Sequence, residues 1–461
     1  MKIRIENLGA LQQAEFTLGD LTIICGENNT GKTYATYALY GFLYFWKKAI
    51  SIRVPEKTMR ELLSDGATTI DIIEYQKKAH SLLDDGCTTY NKQLPTIFAA
   101  QAKKFEKSTF RIDAAPDEIR LFEEYEHLVR AAGSKLFSIT KDRDCTDLVI
   151  TLLVEQEALK IPREAIRQVI GDALKEIIFS SLFPAPFIAS AERTGAAIFR
   201  KELNFARNRL MEEIGKGDKD IDPMDLFFKV YTDYALPVKQ NVEFTRQLEA
   251  VSKEIGFVAE NHPDILEDFS DILGGEYTVD RNDELYFSPK GKRIKLSMDE
   301  SASAVRSLLD MGFYLKHVAK PGDILIVDEP ELNLHPENQR RVARLFARLV
   351  NLGIKIFITT HSDYLIKELN TLIMLNQNKP HLKEIAEREG YRTQELLSGH
   401  RIKVYIAEKQ PIKQEGKKRR RKGLTLTMAD IDPELGIEAR SFDKTIGEMN
   451  RIQDEIMWGE E

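Results

Sequence analysis

Gly26-Glu27-Asn28-Asn29-Thr30-Gly31-Lys32-Thr33 fits the phosphate-binding pattern G-x-x-x-x-G-K-[ST] and follows the apolar run Leu21-Thr22-Ile23-Ile24-Cys25. A short strand, a glycine-rich loop and a helix opening at Tyr34-Ala35-Thr36-Tyr37 are predicted, which is the context the motif requires. Gly26 and Gly31 let the backbone turn tightly, so the N–H groups of the loop through Asn28, Asn29 and Thr30 converge on a triphosphate. The helix that follows, with Tyr34 in its first turn, turns its positive end to the same anion. Lys32 then reaches the β- and γ-phosphates of ATP, and Thr33 offers a hydroxyl to Mg²⁺, which prefers oxygen ligands.

Further along, Ile324-Leu325-Ile326-Val327 is an apolar run ended by Asp328-Glu329 and stopped by Pro330. Such a run suits a buried parallel strand that delivers carboxylates at its C-terminal edge. Asp328 is expected to hold Mg²⁺ through water and Glu329 to polarise an attacking water. Capping of the next turn by both acids is the alternative, and the phosphate-binding loop in the same chain weighs against it. A third run, Lys355-Ile356-Phe357-Ile358-Thr359-Thr360, ends in His361-Ser362 on the strand next in sequence, and His361 is expected to face the γ-phosphate.

The loop, the Asp-Glu-Pro strand, Asn333-Leu334-His335-Pro336 after it and Thr-Thr-His-Ser on the next strand together resemble the ABC-type ATPases that include RecF, Rad50, the SMC heads and the OLD-family ATPases. Within that group the chain is similar to the stand-alone ATPases of bacterial anti-phage systems, such as AriA of PARIS and PtuA of Septu. The resemblance implies an α/β P-loop head with a mixed sheet, carrying helical insertions and a small C-terminal α+β extension. It also implies two heads that sandwich ATP, each capped by a signature helix of the other. The counterpart is Leu296 to Leu308, in which Ser303-Ala304 stands where Ser-Gly is usual and Arg306-Ser307-Leu308 is close to the usual ending. Ser301 and Ser303 are the residues that would act across the interface, with an ordinary N-cap cluster as the alternative. Similar ATPases also place a strand ending in Ser or Pro, followed by Arg, beside the nucleotide. In Pro186 to Gly195 that residue is Arg193, which reads equally as a phosphate or nucleic-acid contact and as a solvated loop arginine.

At 461 residues the chain exceeds one typical core, and about two or three lobes are expected. Hydrophobic residues at 43% and charged residues at 30% are ordinary for a soluble globular protein. A net charge of -7 gives no global attraction to nucleic acid, so any such contact must come from local basic patches. Three cysteines, Cys25, Cys87 and Cys145, lack metal-ligand spacing and suit a reducing cytoplasm. The N-terminus enters an alternating strand at Ile3-Arg4-Ile5 and does not read as a signal peptide. The longest apolar stretch, around Tyr37 to Trp46, is too short to span a bilayer.

The expected layout is a first half of the head at 1–50, a helical insertion at 51–182 and a head strand and loop at 183–195. A helical subdomain at 196–272, the second half of the head at 273–378 and a C-terminal extension at 379–461, a candidate partner-docking region, complete it. Arg200-Lys201 and Arg207-Asn208-Arg209 read mainly as a solvated face. Glu276 to Val279 and Glu284 to Phe287 read as a hairpin around Arg281-Asn282-Asp283, and the signature helix is expected to continue to about Ala319. Leu372 to Leu375 reads as a strand, and Ile402 to Ile406 with Leu424 to Thr427 as two strands. The basic run Lys417-Lys418-Arg419-Arg420-Arg421-Lys422 joins them and suits a phosphate, an RNA or an acidic partner as well as a solvated tip.

OLD-family proteins carry a metal-dependent nuclease after the head, and Glu408 with Asp430-Ile431-Asp432 has part of its pattern. The region is short for that domain, and no intrinsic nuclease is expected. The favoured reading is an ATP hydrolase that forms a dimer or higher ring, and acts as sensor and scaffold in anti-phage defence by controlling a separate effector, a nuclease. A RecF-like repair ATPase that binds DNA directly is the alternative, and a membrane-transporter subunit is disfavoured by the large insertions.

Overall fold

The computed structural model describes residues 1–131, 134–154, 162–199, 234–280, 284–412, 421–438 and 440–458. Two compact units emerge, one made of Met1–Arg4, Phe42–Gln93 and Thr109–Pro184, the other of Ile5–Gly41, Leu94–Ser108 and Ala185–Glu461. The strands in the first part of the chain are β1 (Lys2–Leu8), β2 (Leu11–Thr17), β3 (Leu21–Gly26), β4 (Ala67–Asp71), β5 (Thr109–Asp113), β6 (Tyr125–Ala131), β7 (Ser134–Lys141) and β8 (Asp147–Leu152). After them come β9 (Pro186–Ala189), β10 (Gly275–Val279), β11 (Leu285–Pro289), β12 (Leu296–Ser297), β13 (Ile324–Asp328), β14 (Lys355–Thr360), β15 (Ile402–Ile412) and β16 (Arg421–Met428).

The larger unit is built on a mixed sheet whose strands run in the order β2, β16, β15, β3, β14, β13, β9. Strands β15, β3, β14, β13 and β9 are mutually parallel, and β16 returns antiparallel to β15. All six residues of β3 and all five of β13 are buried, the pattern of strands covered on both faces, and this is why they read as unbroken apolar runs. Helix Pro336–Asn351 carries the chain from β13 back to β14 and buries one stripe, with Val342, Leu345, Phe346 and Leu349 at 1% exposure or less. Each such side chain contributes about 1.5–3 kcal/mol through removal from water. The register then decides what meets at the edge, because Cys25 lies opposite Thr360, Thr359 opposite Asp328 and Val327 opposite Ala189. The phosphate-binding loop, His361, the acid pair and Ser190 therefore leave the sheet at one level.

The smaller unit contains a four-stranded antiparallel sheet in the order β4, β8, β7, β6. The expected helical insertion at 51–182 thus contains a sheet as well as helices. Its strands alternate in polarity, with Thr68 and Ile70 inward on β4 and Leu148 and Ile150 inward on β8, a period-2 signal masked by the charged helices around it. Rings of Tyr90, Phe110 and Phe183 pack around Phe42 at centroid distances of 5.2, 5.4 and 5.3 Å and close this unit's core.

Three further expectations differ from the structure. Within 379–461, β15 and β16 are laid into the main sheet beside β3 rather than set apart from it. Leu372 to Leu375 belongs to helix Asp363–Leu375 because a short apolar run without Gly or Pro does not distinguish strand from helix. The signature helix breaks at Leu308 into Ser303–Ser307 and Leu309–His317. The hairpins β10–β11 and β15–β16 form as expected. The basic residues 200–209, the turn 281–283 and Lys417 to Arg420 lie outside the described residues.

Gly26 sits at φ +140°, and a Cβ there would meet the Ala407 carbonyl oxygen at 2.7 Å, whereas at Gly322, φ +91°, a Cβ would meet nothing within 4 Å. Gly322→Ala should lower stability by about 1 kcal/mol from backbone strain alone. Gly26→Ala should cost about 1–3 kcal/mol more, because the β3–β15 seam must open. Urea denaturation of the two variants side by side checks the difference.

Candidate functional site

After β3 the backbone turns through Gly26 at φ +140°, Asn29 at +61° and Gly31 at +93°, conformations open to Gly and Asn at little cost. The Thr30 hydroxyl donates to the Glu27 carbonyl at 2.8 Å and braces the turn, while Glu27, Asn28 and Asn29 stay exposed. Helix Lys32–Ala49 then begins with no acid in its first turn, so its positive end is unopposed. Lys32 is buried at 6% exposure and folds over the loop, its ammonium donating to the carbonyls of Gly26 at 2.9 Å and Glu27 at 2.8 Å. Burial lowers its pKa, and the carboxylates of Glu329, Asp328 and Glu331 work the other way.

Asp328 ends β13 at 1% exposure. Its Oδ1 accepts the Thr359 hydroxyl, and Oδ2 is buried with no partner. Burial pushes the carboxyl up to about 6, a cost that the Thr359 and Thr33 hydroxyls partly offset and neighbouring Glu329 increases. An orphaned buried carboxylate oxygen beside a threonine hydroxyl is a hard oxygen donor set, and it fits Mg²⁺ completed by phosphate oxygens and water.

Glu329 adopts φ +53°, rare for a residue with a Cβ, and its N–H donates to the Thr359 carbonyl at 3.1 Å. Such a conformation costs roughly 1–3 kcal/mol and persists only where surroundings enforce it. The Glu329 carboxyl stands 3.6 Å from His361 Nδ1. On the other side of the imidazole, Glu331 Oε1 lies 3.8 Å from Nε2 and accepts the Thr360 hydroxyl at 2.9 Å and the His361 N–H at 2.8 Å. Glu331 was not singled out from sequence, and its signal was the third acid in Asp328-Glu329-Pro330-Glu331. Its Oε2 is also buried without a partner. Strand β14 lies between β3 and β13, so His361 emerges between the loop and the acids.

Arg193 matches neither of its two readings. It is 3% exposed, and its guanidinium donates to four main-chain carbonyls: Ser307 at 2.7 Å, Ser190 at 2.8 Å, Asp328 at 2.7 Å and Glu329 at 2.9 Å. Burial lowers its pKa, against the pull of Asp310 first and of Asp328 second. Tyr34 stacks on Phe98 at 5.2 Å and approaches Gly9, where a Cβ would lie 2.4 Å from the ring, yet it stays 37% exposed beside the loop. Ser301 is buried and donates to the Ser297 carbonyl at 2.7 Å, whereas Ser303 is exposed as the first residue of Ser303–Ser307, after Ala302, which makes no side-chain cap. Of the acids weighed for a nuclease, Glu408 accepts the Thr427 hydroxyl, and Asp432 caps a turn through the N–H groups of Glu434 at 2.7 Å and Leu435 at 2.9 Å. Asp430 is exposed.

The AAA ATPase domain family model matches residues 1–366. The chain belongs to this family of ATPases. Solved structures to which it is similar include the SMC head domain from Thermotoga maritima, at 11% identity over 93% of this chain and 98% of that one with a TM-score of 0.31. The SmcHead bound to the C-winged helix domain of ScpA is similar at 11% identity over 93% and 97%, with a TM-score of 0.34. The Smc head domain with an extended coiled coil, bound to the C-terminal domain of ScpA derived from Pyrococcus furiosus, is similar at 12% identity over 98% of each chain, with a TM-score of 0.31. No curated protein matches the chain. Among the described residues no helix is long and apolar enough to cross a membrane.

Asp328 makes stability depend on pH in a defined direction. Its folded pKa of about 6 lies above the ordinary 3.8, so the folded protein keeps a proton that the unfolded chain releases. That contribution is complete below pH of about 4 and is lost as pH rises through about 6. Relative to the wild type, Asp328→Asn should gain up to about 3 kcal/mol between those limits and nothing more above them. Urea denaturation with a chelator present, repeated across the range, measures it.

Proposed function

We propose that this chain is an ABC-type ATPase whose copies close on ATP and open on hydrolysis, and that this cycle controls a separate effector protein, a nuclease, in anti-phage defence. The observation that carries the enzymatic part is the alignment of three adjacent parallel strand ends, which sets Lys32 and Thr33, then His361, then Asp328 and Glu329 along one edge. ATP is the substrate and Mg²⁺, held by Thr33 and Asp328, supplies charge neutralisation at the phosphate oxygens when bound. Lys32 exchanges its bonds to Gly26 and Glu27 for the β- and γ-phosphates, which the N–H groups of Gly26 to Lys32 cradle. Glu329 orients a water and takes its proton as the water oxygen bonds to the γ-phosphorus and the bond to the ADP oxygen breaks. His361 contacts the γ-phosphate from between the two motifs.

Two observations support the assembly and partner parts. Ser303 is exposed at its helix start and free to meet a second copy's nucleotide, whereas Ser301 is turned inward and steadies the segment. Helix Arg440–Trp458 presents Met449, Ile452, Ile456, Met457 and Trp458 at 47–80% exposure, an apolar stripe of the kind another polypeptide covers. On this reading the effector docks on 379–461, and an intracellular, reducing setting suits the three free cysteines.

Lys32→Ala should abolish nucleotide binding. Glu329→Gln should keep binding, slow turnover by about 10²–10⁴-fold and trap the closed assembly. Native mass spectrometry of tagged Glu329→Gln, expressed with its genomic neighbours and purified with ATP and Mg²⁺, tests the whole reading. A closed oligomer carrying a second protein supports it, and a dimer carrying only DNA would replace it with a repair ATPase. Ser303→Arg should leave ATP binding intact and block ATP-dependent assembly, and assembly at the wild-type level would remove Ser303 from the interface.

A further inference from the structure

We infer that Arg193 is a positioning residue for Glu329, a fixed planar clamp that sets the direction of the catalytic carboxylate without touching nucleotide. This rests on the reading of Glu329 given above and deepens it. A guanidinium offers its N–H donors in a rigid fork, so the groups it binds are held relative to one another as well as to the arginine. Here the fork spans three chain segments: the loop after β9 through Ser190, the end of β13 through Asp328 and Glu329, and the signature segment through Ser307.

The Glu329 end of that clamp is where the backbone needs holding. Its peptide is pinned on both sides, the N–H by Thr359 and the carbonyl by Arg193 Nη2, and between them the residue takes φ +53°. The Leu332 N–H also donates to the Glu329 carbonyl at 3.2 Å, but that bond lies within the turn after β13, whereas the Arg193 bond ties the carbonyl to the loop after β9 and to the signature segment. Without the Arg193 bond the turn can shift and swing the carboxyl away from its place 3.6 Å from His361. Arg193 is itself held from behind. Ser190 N–H donates to Asn241 Oδ1 at 2.9 Å, Thr245 donates to the Asn241 carbonyl at 2.7 Å and to Asp310 Oδ1 at 3.2 Å, and buried Asp310 exerts the largest opposing pull on the Arg193 charge. All four acceptors of Arg193 are carbonyls, so the clamp takes up no carboxylate oxygen of Asp328 or Glu329.

The test is a double-mutant cycle on the full chain with Arg193→Lys and Glu329→Gln. Lysine keeps the charge and loses the fork. Arg193→Lys should bind a fluorescent ATP analogue within about threefold of the wild type while kcat falls by about 100-fold, the scale of an ångström's misplacement of a catalytic group. In the Glu329→Gln background the same change should lower the residual rate by less than about threefold, since groups acting as a unit are not additive. A general loss of packing would lower both backgrounds equally and weaken binding. Wild-type kcat in Arg193→Lys, or an equal fold loss in both backgrounds, overturns the clamp. If Glu329→Gln alone turns over ATP normally, the catalytic assignment fails instead. Should the lysine variant not fold, Arg193→Gln, which keeps a planar donor and removes the buried charge, is read through the same cycle.

Discussion

Burying charge at the edge of a parallel sheet is the constraint to which the rest of the structure answers. Asp310 and Asp328 are 1% exposed, Glu331 is 8%, and the cations among them, Arg193 and Lys32, are 3% and 6%. Desolvation pushes Asp310 up to about 7 and Asp328 to about 6, and it lowers both cations. Ion pairing alone is a poor remedy, because a buried pair regains its desolvation cost only when every remaining lone pair and proton is also satisfied. The protein instead spends the cations' protons on backbone carbonyls: four for Arg193 and two for Lys32. The positive charge stays beside the acids, yet Asp328 Oδ2 and Glu331 Oε2 are left without partners. Unpartnered buried oxygens are unfavourable in isolation, and at this edge they suit the proposed metal ion and phosphate.

The motifs were legible because each is contiguous and sits where a strand ends. Leu21 to Thr33 and Ile324 to Pro330 carry strand, turn and chemistry within a few residues, and their fully buried runs are unambiguous. What stayed hidden was which strand neighbours which. Ile402 to Ile412 reads as a strand, but nothing local says that it lies beside β3, some 380 residues earlier as the Cys25–Tyr405 contact measures it. The smaller unit was misread for a related reason: β4 is five residues long, and a pattern so short is outweighed by the charged helical segments before and after it. Glu331 and the backbone of Glu329 show a third limit, since the sequence names the acids while only the packed structure tells which one faces solvent-side chemistry and which one braces the histidine.

Arg193 illustrates how far a resemblance reaches. The residue was found because a strand followed by arginine stands beside the nucleotide in similar ATPases, and the structure does place it beside the acid pair. Its task, however, is decided by exposure and by acceptor type. A phosphate-binding arginine needs donors aimed outward, and this one has its donors turned to Ser190, Ser307, Asp328 and Glu329 carbonyls. A solvated arginine needs water, and this one has almost none. Position was inherited from the pattern, and function followed from where the N–H groups point.

The first glycine of the phosphate-binding loop shows the same division of causes at a residue whose role looked settled. Its freedom at φ +140° is usually credited to the anion, because the turn brings N–H groups together. In this fold a second demand comes from the opposite direction. Ala407 lies in register with Gly26 across the β3–β15 seam, its carbonyl oxygen 2.7 Å from where a Cβ would stand, and beneath it the Cys25 thiol donates to the Tyr405 carbonyl while burial raises its pKa to about 12. That thiol is an inert packing group, and the seam it helps to close is made by the last part of the chain. The loop that opens the sequence motif is therefore shaped from behind by a strand that the motif does not contain, so β15 belongs to the same sheet as β3 and a change in it reaches the glycine-rich loop through one glycine.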